Sequence, residues 1–198
     1  MSCDMVADRT RVASGGVGLE INRTLDRFLA GVERRALRMA AISTGSTDEA
    51  LDIVQDAMMK FATRYAGRDA DDWGPLFQRI LQNAVTDWHR RSRVRNRWRW
   101  FVGLRESHGE QADPLLEIAD PRAREPGAML QEGEAMVHLE RAIGELPLRQ
   151  QQAFMLRLWE GMSVQQTASA MGCTQGSVKT HYSRAVNSLR EKLEAHWP

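Results

Sequence analysis

The sequence has little cysteine and no long apolar run, and these two absences exclude several classes of protein. Cys3 and Cys173 are the only cysteines among 198 residues, and neither has Cys or His neighbours at ligand spacing. A disulfide framework and a structural zinc site are therefore excluded. No apolar stretch approaches the roughly 20 residues that a helix needs to cross a bilayer. The first residues place acids and arginines where a signal peptide needs apolar residues, which favours a cytoplasmic protein without membrane insertion.

The chain also lacks an overall charge that would attract a polyanion, because 27 Lys and Arg residues face 26 Asp and Glu residues, a net charge of +1. Charge is instead sorted locally. No acid lies between residues 88 and 105, where seven arginines occur, whereas residues 106–134 carry eight acids and three prolines. Any nucleic-acid interpretation must rest on this segregation. The acidic, proline-containing stretch predicts a flexible linker over residues 101–133.

Apolar residues recur at helical spacing through most of the remaining chain, and we find no strand with convincing alternation. The pattern predicts an all-α protein of two small helical domains, residues 19–100 and 134–198, joined by the acidic linker. Residues 1–18 contain three glycines and no apolar period, which predicts a mobile leader.

Within the first domain, Ser46 and Glu49 have the spacing of a capping box, in which the Ser oxygen and the Glu carboxylate satisfy free amides at a helix start. Pro75 suits the first position of a following helix. In the helix that starts after Ser46, a stripe at spacings of three and four predicts the buried face: Leu51, Val54, Met58, Phe61 and Tyr65. The opposite face presents Asp52, Gln55, Asp56 and Met59.

The second domain contains the pattern of a helix-turn-helix. Ser163 caps a short helix, Gly172 supplies a left-handed turn and Thr174 caps the next helix. Small Ala168 and Gly172 are expected to let the two helices approach closely. The start of the second helix presents a polar set that suits the DNA major groove: Gln175, Ser177, Lys179, Thr180, His181 and Arg184. The alternative is a helical hairpin with an ordinary solvated face.

Arginines alternate with aromatic residues at the end of the first domain, where Trp88, Trp98, Trp100 and Phe101 lie. Arginines neutralise phosphates, and flat rings stack on unpaired bases, so this segment has the chemistry to hold a separated DNA strand. The alternative is a helix end whose tryptophans pack on the core while its arginines are hydrated.

Three segments together resemble the two lobes of bacterial RNA polymerase sigma factors of the extracytoplasmic-function group. They are DEALDIVQDAMMKFATRY, LFQRILQNAVTDWHRR and LPLRQQQAFMLRLWEGMSVQQTASAMGCTQGSVKTHYSRAVNSLREKL. The resemblance implies a promoter-specificity subunit that is not an enzyme, has no cofactor and contains no catalytic or metal-binding residue. It implies core RNA polymerase and promoter DNA as partners, and an anti-sigma protein as a further one.

The resemblance also assigns residues to surfaces. It implies that Asp52, Gln55, Asp56 and Met59 bind polymerase. The residues expected at the melted minus-ten strand are Asn83, Trp88, Arg90, Arg91 and Arg93, and the polar set of the second domain would read the minus-thirty-five element as duplex. Thr167 departs from the family pattern, which usually has a branched aliphatic residue at this position. The departure predicts a looser first helix of the turn motif.

Two other function classes account for parts of the sequence. A stand-alone helix-turn-helix regulator that binds duplex DNA as a dimer explains the second domain, but not the tryptophan-arginine tract. A helical metal-dependent hydrolase would use Asp48, Glu49, Asp52 and Asp56, but the chain lacks the Glu-x-x-His pairs that build metal sites in helical bundles.

Overall fold

A computed structural model of the chain describes residues 9–101 and 126–194, and within them the side chains of residues 22–95 and 135–194. Every regular element in these ranges is helical, which confirms the predicted all-α class. Helices α1 to α7 span Arg9–Thr44, Thr47–Tyr65, Trp73–Phe101, Pro126–Gly144, Leu148–Leu158, Val164–Met171 and Gln175–Glu194. A short 3-10 turn, Ala70–Asp72, precedes α3.

Helices α1 to α3 form an N-terminal lobe around an aromatic cluster. The side chains of Phe61 and Phe77 are fully buried, and their ring centroids lie 5.9 Å apart in an edge-to-face arrangement. Phe28 and Trp73 close the cluster, with centroids 5.4 Å apart. Aromatic pairs at these distances contribute about 0.5–1.5 kcal/mol beyond the area that they bury. The cluster therefore fixes α1, α2 and α3 relative to one another.

Helices α4 to α7 form a C-terminal lobe around a second core. Ile143, Met155, Leu156 and Val178 are almost completely buried there. The ring of Phe154 stacks on that of Tyr182 with centroids 6.3 Å apart. These contacts hold α5 against α7, the helix that the sequence predicts to enter a DNA groove.

Three features of the first lobe and the linker differ from the sequence expectations. Helix α1 begins at Arg9 rather than at Leu19, because the glycines of the expected leader only weaken a helix and no proline interrupts it. Residues 126–133, expected in the linker, lie in α4, which tolerates Pro126 in its first turn. Leu51, expected on the buried face of α2, is 40% exposed.

Residues 1–8 of the predicted leader and 102–125 of the predicted linker lie outside the described residues.

The two lobes pack directly against each other, with α1 and α3 on one side and α4, α5 and α6 on the other. We call this contact the interlobe seam. Some of it is apolar: Met39 of α1 packs into the C-terminal core, and Leu148 of α5 packs against the N-terminal core. Helix α6 contacts both α3 and α7, so the first helix of the turn motif lies between the other two.

Much of the seam is polar. The fully buried amide of Gln152 donates to Thr86 Oγ1 at 3.1 Å and to the Gln82 carbonyl at 3.4 Å. Ser43 Oγ donates to Gln151 Oε1 at 2.7 Å. Because buried polar groups need partners, these hydrogen bonds specify one register between the lobes.

Among the side chains that the structure describes, two ion pairs join α1 to the C-terminal lobe. Arg38 pairs with the buried carboxylate of Glu140, and Arg35 lies 3.3 Å from Glu160. Arg38 is 45% exposed, whereas Glu140 is 4% exposed, so the carboxylate depends on its partner more than the guanidinium does.

Candidate nucleic-acid and polymerase interfaces

The turn between α6 and α7 has the local geometry that its sequence predicts. Ser163 Oγ accepts from the Gln166 amide at 3.2 Å, and Gln166 Oε1 accepts from the Ser163 amide at 2.8 Å, which completes a capping box. Gly172 ends α6 in the left-handed region at φ 61°. At the start of α7, Thr174 Oγ1 accepts from the Ser177 amide at 3.1 Å. The two helices are thereby held as a helix-turn-helix unit.

Two residues of this unit have roles that differ from those expected. A Cβ at Gly172 would meet no atom within 4 Å, so this glycine is required by its backbone conformation rather than by a close approach of the helices. Thr167 is fully buried, yet its hydroxyl donates to the Ser163 carbonyl at 2.8 Å. This hydrogen bond satisfies the hydroxyl, so Thr167 is accommodated without an unpaired buried polar group.

The predicted DNA-reading residues lie together on the first turns of α7. Gln175, Lys179, Thr180 and Arg184 are exposed, whereas Ser177 and His181 are half-buried. The opposite face of α7 buries Val178, Ala185 and Leu189. Packing thus turns cationic and polar side chains outward at the end of the helix that enters the major groove in this motif.

The outward face of α2 is as polar as predicted and also carries apolar side chains. Asp52, Gln55 and Asp56 are exposed, and Met59 is 61% exposed. Leu51 lies in the same helical row as Gln55 and Met59, at intervals of four residues. Leu51 was not predicted for this surface because its spacing also fits the buried stripe. The face thus combines carboxylates with two exposed apolar side chains.

Helix α3 divides its polar and aromatic residues between solvent and core. Asn83, Arg90, Arg91 and Arg93 are exposed, and Arg90 Nη2 lies 3.5 Å from Asp87. Trp88 is half-buried against the N-terminal core. The side chains of Trp98, Trp100 and Phe101 lie outside the described residues. Trp88 therefore packs on the core and keeps an accessible portion.

Trp88 and Arg95 of α3 are both tied to Glu49 of α2. Trp88 Nε1 donates to Glu49 Oε2 at 2.6 Å, and Arg95 Nη2 lies 3.6 Å from Glu49 Oε1. Only half of the predicted capping box forms at the start of α2. Ser46 Oγ accepts from the Glu49 amide at 3.4 Å, but the Ser46 amide donates to Thr44 Oγ1 at 3.2 Å instead of to Glu49. The Glu49 carboxylate is therefore available to α3.

His89 lies beside Trp88, where α3 meets the end of α1. Its imidazole contacts the Trp88 ring edge-on, with centroids 4.9 Å apart. Burial lowers the pKa of His89 below 6.5, an effect opposed by a hydrogen bond with the Ser43 backbone and reinforced by the charge of Arg93. The neutral imidazole is therefore favoured in the folded protein.

The acids suggested for a hydrolase do not gather into a metal site. Within residues 22–95 and 135–194, no group of three or more His, Cys, Asp or Glu side chains is placed to hold a metal ion. Glu49 is engaged with Trp88, while Asp48, Asp52 and Asp56 are exposed. Across the described helices, none is long and apolar enough to span a bilayer.

Comparison with known proteins relates this arrangement to one family. Residues 137–189 match the family model for region 4 of sigma-70 factors. The chain is 30% identical over 150 residues to the RNA polymerase sigma-E factor of Streptomyces antibioticus, which covers 74% of this chain and 71% of that protein. It is also 30% identical over 156 residues to the sigma-E factor of Streptomyces avermitilis, covering 74% and 72%.

A solved structure matches most of the chain. The sigma factor RpoE from Bartonella quintana, crystallised in complex with the anti-sigma factor NepR, superposes with a TM-score of 0.59 and 25% identity, covering 85% of this chain and 96% of that one. Alignments of this length extend beyond the C-terminal lobe. They support the two-lobe interpretation rather than a stand-alone helix-turn-helix regulator, which accounts for that lobe alone.

Proposed function

This chain belongs to the RNA polymerase sigma factors of the extracytoplasmic-function group, and on that premise we propose that it binds core RNA polymerase and selects promoters for transcription initiation. One observation carries the proposal. A single chain presents a cationic helix-turn-helix face on α7 and, on the other lobe, an acidic and apolar face on α2 beside an arginine-bearing helix. A duplex-binding regulator has no use for the second group of surfaces.

We propose that α7 reads the minus-thirty-five element in the major groove. The exposed amide of Gln175 and hydroxyl of Thr180 have the donors and acceptors that base edges require, and Lys179 and Arg184 have the charge to contact phosphates. Half-buried Ser177 and His181 lie on the borders of this face. In this proposal they would contribute where the groove wall approaches the helix.

The face of α2 is proposed to dock on polymerase. Asp52 and Asp56 would pair with basic groups of the partner, while Met59 and Leu51 would fill apolar depressions. Exposed methionine suits such a contact because its flexible, polarisable side chain adapts to irregular surfaces. Buried aliphatic contacts supply affinity, and the carboxylates set orientation.

Helix α3 is proposed to hold the melted minus-ten strand. Exposed Asn83 offers a donor and an acceptor together, as reading a base edge requires. Arg90, Arg91 and Arg93 would neutralise phosphates, and the accessible part of Trp88 would stack on a base. Contacts made only with the separated strand favour the opened state of the DNA, by the logic of differential binding.

In this proposal the lobes must separate before both promoter elements are engaged. Helices pack at about 8–10 Å, so α7, which packs on α6 as α6 packs on α3, lies within roughly 20 Å of α3 in this closed arrangement, with the lobes packed together. Elements centred near minus ten and minus thirty-five are about 25 base pairs apart, or roughly 85 Å along B-DNA. The closed arrangement therefore represents a state other than the one bound at a promoter.

The remaining parts of the proposal concern partners and chemistry. Bond-making would belong to polymerase, so this chain would act without an active site or cofactor, in the cytoplasm where polymerase works. An anti-sigma protein is the proposed regulator. The support for it is that the chain superposes on a sigma factor solved in complex with one.

Reconstitution of transcription tests the proposed function. Core RNA polymerase is incubated with this chain and fragmented genomic DNA from its source, and transcript starts are mapped by sequencing. We expect new starts that share two spaced elements and are absent with core polymerase alone. A chain that fails to associate with core polymerase at low ionic strength, or tight binding of the isolated chain to a palindromic duplex, would contradict the proposal.

A further inference from the structure

Glu49 occupies a position from which its carboxylate would ordinarily cap its own helix. Because the Ser46 amide already donates to Thr44 Oγ1, the carboxylate crosses to α3 instead. There it accepts from the Trp88 indole and lies beside Arg95. Because Thr44 accepts from the Ser46 amide, the Glu49 carboxylate is not used for capping and instead links α2 to α3.

The two contacts differ in strength. The Trp88 hydrogen bond joins a charged acceptor to a half-buried donor at 2.6 Å, and charge-assisted hydrogen bonds are roughly twice as strong as neutral ones. The Arg95 contact is longer and lies between side chains that are 56% and 40% exposed, so water screens it. The Trp88 bond is therefore the contact that orients α3 side chains.

Glu49 also lies next to the α2 face described above. It precedes Asp52 by three residues, which places the two carboxylates on neighbouring turns of one side of the helix. A single side chain thus joins the edge of the proposed polymerase surface to the aromatic ring of the proposed strand surface.

We propose that Glu49 is a positioning residue for capture of the melted strand: it fixes the Trp88 ring in the orientation that the unpaired bases meet. This inference rests on the proposed function of α3. It adds that the geometry of the strand surface is set from α2, by a residue that itself contacts neither DNA nor polymerase.

The test compares three variants assembled with core polymerase. Glu49→Ala removes the acceptor and the charge, and Glu49→Gln keeps an acceptor for the indole while removing the charge. Asp48→Asn is the matched control, because Asp48 is an exposed acid in the same first turn of α2. The probe is a fluorescent single-stranded DNA copied from the non-template strand just upstream of a transcript start mapped as above. Core affinity and the thermal midpoint of each variant are measured in parallel.

Stacking on one aromatic ring contributes enough to affinity that misplacing it should be visible. We expect Glu49→Ala to weaken probe binding about five- to tenfold, with Glu49→Gln within about twofold of the parent and Asp48→Asn unchanged. Core affinity should be the same for all of them. In a Trp88→Phe background, which keeps a ring but has no N–H donor, Glu49→Ala should add less than about twofold.

Three results would overturn the inference. One is equal probe binding by Glu49→Ala and Asp48→Asn, and another is a parallel loss of core affinity, which would make Glu49 part of the polymerase contact. The third is a full additional loss in the Trp88→Phe background. If Glu49→Ala does not fold, Glu49→Gln is tested alone and in combination with Trp88→Phe. Probe binding by Glu49→Gln that is as weak as the binding expected for Glu49→Ala would then refute the role of the indole hydrogen bond. If the holoenzyme with the unsubstituted chain does not bind the probe, the proposed function of α3 is itself wrong. That result is distinct from a failure of the inference about Glu49.

Discussion

Removing the Arg38 guanidinium should loosen the interlobe seam without unfolding either lobe. In Arg38→Ala the Glu140 carboxylate, 4% exposed, would stay buried without its cation as long as the lobes remain together. Its Oε2 atom already has no hydrogen-bond partner within the part of the chain that the structure describes. Separation of the lobes would hydrate the carboxylate, so the substitution favours the open arrangement.

The size of the effect follows from the burial of the two partners. Breaking a fully buried pair on one side costs about 3–5 kcal/mol. Arg38 is 45% exposed, so the attraction is partly screened and a value of about 2 kcal/mol is more appropriate. A difference of this size changes the ratio of open to closed molecules by a factor of about 30.

Hydrogen–deuterium exchange measures this shift at the seam. Amides of α6 and of α3 around Thr86 should exchange faster in Arg38→Ala, whereas amides of α7 near Leu189, inside the C-terminal core, should be unchanged. Arg27→Ala is the control, because Arg27 is an exposed arginine of the same helix. Equal exchange in the two variants would refute the argument that the buried carboxylate of Glu140 depends on Arg38, and faster exchange throughout would indicate global unfolding instead.

The remaining predictions concern each lobe separately. Phe61→Ala should destabilise the N-terminal lobe by about 3–5 kcal/mol in denaturant unfolding, because Phe61 is fully buried in the aromatic cluster, and a loss below about 1 kcal/mol would contradict that packing. Gly172→Ala should cost about 1–2 kcal/mol through its positive φ alone, and no loss would show that the left-handed conformation is not required. His89 has a lowered pKa when folded, so stability should fall as the pH drops below about 6.5, where the unfolded imidazole gains a proton first. Thermal midpoints between pH 5 and 8, roughly the range where His titrates, should be less pH-dependent in His89→Gln, and identical profiles would be evidence against the burial of His89.

Local signals predicted the turn motif well because each depends on a few neighbouring residues. Ser163, Gly172 and Thr174 act through their own side chains or backbone conformation, and all three are found where their sequence places them. The buried face of α2 follows from periodicity in the same way. Leu51 is the exception, since helical spacing alone does not tell the edge of an apolar stripe from its centre.

Contacts between distant residues could not be predicted in this way. The partners of Gln152 on α3 and of Glu140 on α1 are separated from them by long stretches of chain, and glutamine or glutamate in a helix is ordinarily a surface residue. The seam therefore had no sequence signal. The hydrogen bond between Glu49 and Trp88 could not be predicted for a related reason, because the capping-box spacing offered a nearer partner for the same carboxylate.

Helix α3 continues without interruption from its buried aromatic half into its arginine-bearing half, 29 residues or about 43 Å in all. Its N-terminal end is anchored in the ring cluster around Phe77. A small change in the tilt of that end sweeps the far end through a much larger arc. One residue inserted after Trp88 would turn every following arginine by about 100° around the helix axis. The angular positions of these charges around the helix are therefore as important as their number.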